Sequence, residues 1–348
     1  MKVGMGNIEE LMQRILNENV KKRDFISPAS KLTMTDDGKM VVADKGEFDI
    51  WDTAHDQIGN KLDIPAKYYD RMMKEAPDLL AANVNGWLHK SNKTYTVRTL
   101  DTDMRAFLSD RYRPLDNFDL LGQSIIPVIQ PILSSLDVAS CELTHKRMYI
   151  KMVNEKLNGE IKKGDIVQAG MVISNSEVGM GSVQIQPLIM RLACLNGAIM
   201  QDSSIRKYHV GGRIVEGDGT DLFYSDSTRM LADKAFFAQV RDVMSGVLQY
   251  DGFYALIRRL QDTANNHINR DIDEVMEVAA KKFTLGKSES EGVLKAFING
   301  GDLTQWGLGN AVTQYSQEVE SYDRATELER IGGEIFEMSK SSWKELAA

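Results

Sequence analysis

Val138-Ala-Ser-Cys-Glu-Leu-Thr144, Met148-Tyr-Ile-Lys-Met-Val153, Ile166-Val-Gln-Ala-Gly-Met-Val-Ile-Ser174 and the longer run Val183 to Met200 follow one another in a single stretch of chain. Each shows β-type alternation, and the breaks between them carry the turn residues Asn158-Gly159, Lys163-Gly164-Asp165 and Gly179-Met180-Gly181. This pattern predicts an antiparallel sheet. Only His145-Lys146-Arg147 separates the first two runs, which is the spacing of a tight hairpin. Gln186-Pro187 reads as a bulge or a change from strand to helix, because proline donates no hydrogen bond to a ladder.

Upstream of this stretch, Asp116 to Leu136 has helical spacing interrupted by Pro127 and Pro131, which predicts two short or kinked helices. Before it stands a motif rich in polar and aromatic residues, Arg105-Ala-Phe-Leu-Ser-Asp-Arg-Tyr-Arg-Pro-Leu-Asp-Asn117, of which Ser109 to Arg113 reads as a loop that ends at Pro114. Thr94 to Leu100 alternates as a strand does. Ile8 to Lys22 carries apolar residues at helical spacing, and Lys21-Lys22-Arg23 suits the C-terminal end of a helix dipole. A small hairpin is predicted around Asp36-Asp37-Gly38, and helices over Pro65 to Glu75 and Asp78 to Leu88. Downstream, helical periodicity runs from Thr228 to Ala347, broken at Gly300-Gly301-Asp302. The fold class is α+β: a central antiparallel sheet with a β-hairpin, flanked by helices, and a mostly helical C-terminal part. Its expected divisions are residues 1–85, 86–213 and 214–348.

The 348 residues are 43% hydrophobic, enough for a substantial core, and disorder is excluded as the default. No apolar run is long enough to span a bilayer and the first residues lack a signal-peptide core, so a soluble, cytoplasmic protein without a membrane partner is expected. Two cysteines, Cys141 and Cys194, sit inside apolar runs and read as buried thiols. The net charge of −8 is unevenly spread. Residues 1–85 carry 12 Lys/Arg against 15 Asp/Glu, residues 86–213 carry 16 against 12, and residues 214–348 carry 14 against 23. Only the sheet-bearing middle is basic, so a polyanion could be held there locally while long-range attraction stays weak.

Three segments of that middle repeat one chemistry. Arg111 and Arg113 flank Tyr112. Lys146 and Arg147 form the hairpin tip, and alternation puts Tyr149 and Lys151 on one strand face with Arg147. Arg206 and Lys207 precede Tyr208, with Arg213 close behind. Guanidinium forks and ammonium groups pair with phosphates, and phenol rings stack on bases. The same residues can instead be structural, Asp110 and Asp116 pairing with the arginines and the hairpin tip simply being solvated. Asn175-Ser176-Glu177-Val178-Gly179 reads as a polar turn whose glycine permits positive φ, and Glu177 has no second carboxylate or histidine at catalytic spacing. The five histidines form no metal-binding pair, and no phosphate-binding Gly-x-x-x-x-Gly-Lys or nucleophile-elbow motif occurs. No metal or cofactor is therefore expected.

Five motifs resemble the phage- and plasmid-borne proteins of the family of unknown function numbered 932: Leu80-Ala-Ala-Asn-Val-Asn-Gly-Trp87, Arg105 to Arg113 with Ser109 and Asp110, Ile173-Ser-Asn175-Ser-Glu177-Val-Gly179, Arg191-Leu-Ala-Cys-Leu-Asn196-Gly197, and Trp306-Gly-Leu-Gly-Asn-Ala-Val312. The resemblance spans roughly residues 50 to 345 and implies a home on mobile elements, without catalytic residues to carry over. The order of elements is also similar to that of Rad52/RecT-like annealing proteins, an analogy of fold alone. The leading expectation is a single-stranded DNA-binding protein that promotes annealing or recombination and assembles into homo-oligomers. The alternatives are a non-enzymatic partner of a host protein, such as an inhibitor of host defence, acting through the acidic C-terminal helices, and an enzyme built on Glu177, Arg191 and Asn196.

Overall fold

The computed structural model describes residues 1–5, 7–112, 114–132, 136–201, 226–247 and 250–347. Helix α1 (Ile8–Asn19) starts where the Asn7 side chain accepts the Glu10 amide at 2.8 Å, with Glu9 and Glu10 favourably placed in its first turn. It buries Ile8, Leu11 and Ile15. The expectation that Lys22 and Arg23 end this helix is corrected: α1 stops at Asn19 and the basic residues open strand β1 (Lys22–Pro28).

β1 belongs to a six-stranded sheet with β2 (Leu32–Met34), β3 (Met40–Val42), β4 (Gly46–Ile50), β5 (Thr94–Leu100) and β6 (Asp103–Ser109), in the order β1-β5-β6-β4-β3-β2. This sheet therefore joins chain from both sides of residue 85. The first part of the 105–117 motif, up to Ser109, is strand β6, where Phe107 faces the core while β6 pairs with β5, and the loop begins after it. Helices α2 (Asp52–Lys61), α3 (Ala66–Glu75) and α4 (Pro77–Leu88) fill one face, where Ile58, Tyr69, Leu80 and Val84 pack against Val97 and Phe107. Pro77 sits in the first turn of α4, where no amide is needed. The edge strand β2 is closed by Asn85, whose side chain accepts from the Met34 amide at 2.7 Å and donates to its carbonyl at 2.8 Å.

After α5 (Asn117–Leu120), a π-turn over Leu121–Ile125 and α6 (Ile126–Ile129) with Pro127 in its first turn, the chain enters the second sheet. Strands β7 (Leu136–Leu143), β8 (Met148–Lys162), β9 (Asp165–Asn175), β10 (Gln184–Arg191) and β11 (Asn196–Ile199) form an antiparallel meander in the order β11-β10-β9-β8-β7. Asn158-Gly159 is not a turn. It lies inside β8 where the register with β9 jumps after Asn154, and a side chain at 159 would press on Ile257. Pro187 stays within β10, neither bulged nor helical. Its carbonyl accepts from Met200, so its missing donor faces the side where β11 has already ended. The last run, read as continuous to Met200, breaks between Arg191 and Asn196, with Leu195 at φ 52°.

The C-terminal part is helical: α7 (Asp226–Val247), α8 (Tyr250–Thr263), α9 (Ile272–Phe283), α10 (Lys287–Gly300), α11 (Gln305–Tyr315), α12 (Tyr322–Phe336) and α13 (Lys340–Ala347). One face of the meander is apolar. Cys141, Met148, Ile150, Met152, Met171, Ile173 and Ile185 pack there against α1 and α7. The opposite face, in register, presents Ser140, Tyr149, Lys151, Ser174, Gln184 and Gln186 near the hairpin end. α12 lies across it. Helices α9 to α13 share a separate core of Val275, Phe297, Leu308, Leu328, Ile335 and Trp343.

Candidate functional site

The two sheets meet at Glu177. In β6 the register slips so that Ala106 faces Arg98 and Met104 faces Thr99, leaving Arg105 as an extra residue. The bulge re-aims Arg105 out of the ladder. Its Nη1 donates to Glu177 Oε2 at 2.5 Å, while Oε1 accepts from Lys22 Nζ at 2.6 Å and the Asn117 amide at 2.7 Å. Burial opposes ionisation of Glu177, but the charges of Lys22 and Arg105 outweigh it and hold the carboxyl down at about 2. Arg98, fully buried, donates to the Glu177 carbonyl at 2.6 Å, to Asp24 at 3.0 Å and to Asp116 at 2.7 Å. Asn175 Nδ2 bonds Asn117 Oδ1 and the Leu115 carbonyl, each at 2.9 Å. Gln57 donates to the Val178 carbonyl and accepts from the Phe107 amide, both at 2.7 Å.

A carboxylate so enclosed neither reaches a substrate nor takes up a proton near neutral pH. Glu177 is a bolt between sheets. Arg191 lies at the other end of β9, opposite Val167, bonded through Nε to Asp165 at 2.6 Å; Asp165 also accepts from Trp306 Nε1 at 2.9 Å. Asn196 is buried against Asn310 and Thr313. Glu177, Arg191 and Asn196 thus share no pocket, and the expectation of an enzyme built on them is corrected.

Of the cations read as phosphate contacts, Arg111 and Lys146 are exposed and Arg147 is half-exposed. Their segments touch one turn. Tyr112, next to Arg111, donates to the Glu177 carbonyl at 3.1 Å; Ser176 Oγ donates to the Lys146 carbonyl at 2.8 Å; Arg147 donates to the Met180 carbonyl. Beside them the exposed His145 ring stacks on Trp51, centroids 4.0 Å apart and 11° from parallel. Arg113, Arg206, Lys207 and Arg213 lie outside the described residues.

Lys151 and Tyr149 are corrected as open contacts. They do share a face with Arg147, but that face is covered: Lys151 Nζ is 2.6 Å from Glu329 Oε2 and 4.5 Å from the Tyr322 ring centre, and Tyr149 donates to Asp323 at 2.8 Å. Burial pushes the Lys151 ammonium below its ordinary range, against the pull of Glu329. Tyr112 is corrected as a free stacking ring too, half-buried with Arg98 6.0 Å from its centre. Ser109 is half-buried and its carbonyl caps the Tyr112 amide, while Asp110 is exposed.

Trp51, Lys22, Arg98 and Glu329 escaped the sequence reading. Arg98 carried a signal, a cation in the middle of an alternating strand, which is stable there when buried only if paired. Trp51 and Glu329 carried none, since their partners are distant in sequence. Among the described residues no group of histidines, cysteines and carboxylates could hold a metal ion, and no helix is long and apolar enough to cross a membrane. The pattern of the domain of unknown function DUF932 matches residues 107–331. No curated protein and no solved structure matches the chain.

Proposed function

The chain belongs to the DUF932 family, whose description assigns no activity, and on that premise we propose from geometry that it is a single-stranded nucleic-acid-binding protein of a mobile element, serving annealing or recombination. The observation that carries the reading is the rim around the Ser176–Gly181 turn, which bonds both the segment bearing the exposed Arg111 and the hairpin tip bearing Lys146 and Arg147, and beside which the His145 ring lies on Trp51. Cations beside an exposed ring track a backbone and stack a base without reading sequence. Binding needs no bond chemistry, hence no cofactor.

Fluorescence anisotropy with an oligothymidylate of about 20 nucleotides tests it. Three phosphate contacts predict that log affinity falls against log salt with a slope of about −2. The double substitution Lys146→Glu and Arg147→Glu should remove binding. Absence of binding by the unaltered chain at low ionic strength overturns the reading and leaves the interaction-protein alternative, in which a host protein is the partner.

A further inference from the structure

We infer that helices α9 to α13 form a displaceable acidic cover, and that the polar half of the five-stranded sheet beneath α12 is a second contact surface for single-stranded nucleic acid. This rests on the reading just proposed and adds its regulation. The first support is the division of cores. The bundle closes its own apolar core within α9 to α13, while α12 meets the hairpin end of the sheet mainly through polar groups, with the one ring pair Tyr322–Tyr149 among the described residues. There Lys151 meets Glu329, Tyr149 meets Asp323, and Arg330 donates to Gln186 at 3.1 Å and Gln184 at 3.3 Å. Polar interfaces of this kind open more readily than apolar ones, because the charges regain hydration.

The fit is also incomplete. Ser174 Oγ on the sheet, and Thr326 Oγ1 and Glu329 Oε1 on α12, are buried without a partner among the described residues. Each such atom weakens the closed state. Besides the Tyr322 ring against Tyr149, centroids 5.4 Å apart, apolar packing lies at the other end, where Trp306 and Phe336 share a core with Val167, Ile189 and Ala198 of the sheet and Gly333 lies so close to the Ile199 carbonyl that no side chain would fit. The bundle can therefore tilt about that end with its core intact.

Charge identifies the competitor. Residues 268–348 carry 9 Lys/Arg against 15 Asp/Glu, and α12 sets Asp323 and Glu329 on the tyrosine and lysine of the sheet. These are the positions phosphates would take on an open face also bearing Arg147, Ser140 and Gln186. Carboxylates on α12 thus stand in for a polyanion, and the strand that enters at the rim continues onto the sheet when they leave.

Hydrogen exchange on the full chain, with and without oligothymidylate, together with anisotropy of the pair Asp323→Asn and Glu329→Gln, tests this. The bound state should lose protection in α12, and the variant should bind about tenfold tighter than the unaltered chain. Binding of equal affinity by both, with α12 protection unchanged, overturns the cover and leaves the rim reading intact. Failure of both chains to bind removes the two together. Should the variant not fold, exchange on the unaltered chain decides alone: unchanged α12 protection in the bound state sinks the inference.

Discussion

Lys151 Nζ and Glu329 Oε2 meet at 2.6 Å between β8 and α12, with neither side chain exposing any surface. Removing one partner leaves an unpaired charge in a space that cannot hydrate it. Glu329→Leu should cost about 3–5 kcal/mol in urea unfolding, whereas Lys151→Met combined with Glu329→Leu should lie much closer to the unaltered chain. Equal losses in both would show that the pair is not coupled.

Glu177 gives stability a defined acid limit. In the unfolded chain its carboxyl takes up a proton near 4.3, but in the fold only at about 2, so between these values the unfolded state binds more protons and stability rises with pH. The contribution is fully present above about pH 5, amounts to about 3 kcal/mol, and disappears as pH falls toward 2. Glu177→Gln should flatten the unfolding free energy across that window, measured by urea titration at successive pH.

Gly179 and Gly38 separate backbone strain from packing. Both have positive φ, 75° and 85°, but a side-chain carbon at 179 would lie 2.6 Å from Leu108 Cδ2, while at 38 it meets nothing within 4 Å. Gly38→Ala should cost about 1 kcal/mol and Gly179→Ala roughly 2–3 kcal/mol more, by thermal unfolding. Comparable values would mean that the close approach to Leu108 relaxes freely.

Asn85→Ala removes the cap from the β2 edge. Two partly buried hydrogen bonds vanish, for a loss of about 1–2 kcal/mol, and the Met34 amide and carbonyl become free to pair with another chain. Light scattering should then show concentration-dependent association absent from the unaltered chain.

Much of the architecture was legible because it obeys local rules. The meander declared itself through alternation and through the short hairpin at His145, and the helices through apolar spacing. What escaped was set by partners far along the chain. Lys22 and Arg23 look like a helix end until β1 is seen pairing with β5, and Asn158-Gly159 looks like a turn until the strand is seen to continue through a bulge. In the site, alternation placed Arg147, Tyr149 and Lys151 together, but which residues cover a face is not written in the period of a strand. Asp323 and Glu329 stand more than 170 positions away from the residues they meet.

The unpaired place of Arg105 in β6 makes length as binding a constraint as composition. With the extra residue, Phe107 stays in phase with the apolar core while a guanidinium reaches Glu177 from the same strand. A chain one residue shorter between Arg98 and Phe107 would have to surrender one of the two, either turning the aromatic ring outward or uncoupling the sheets. Deletions here should therefore be far less tolerated than substitutions, and a lost codon in this short segment would disable a protein that survives many altered ones.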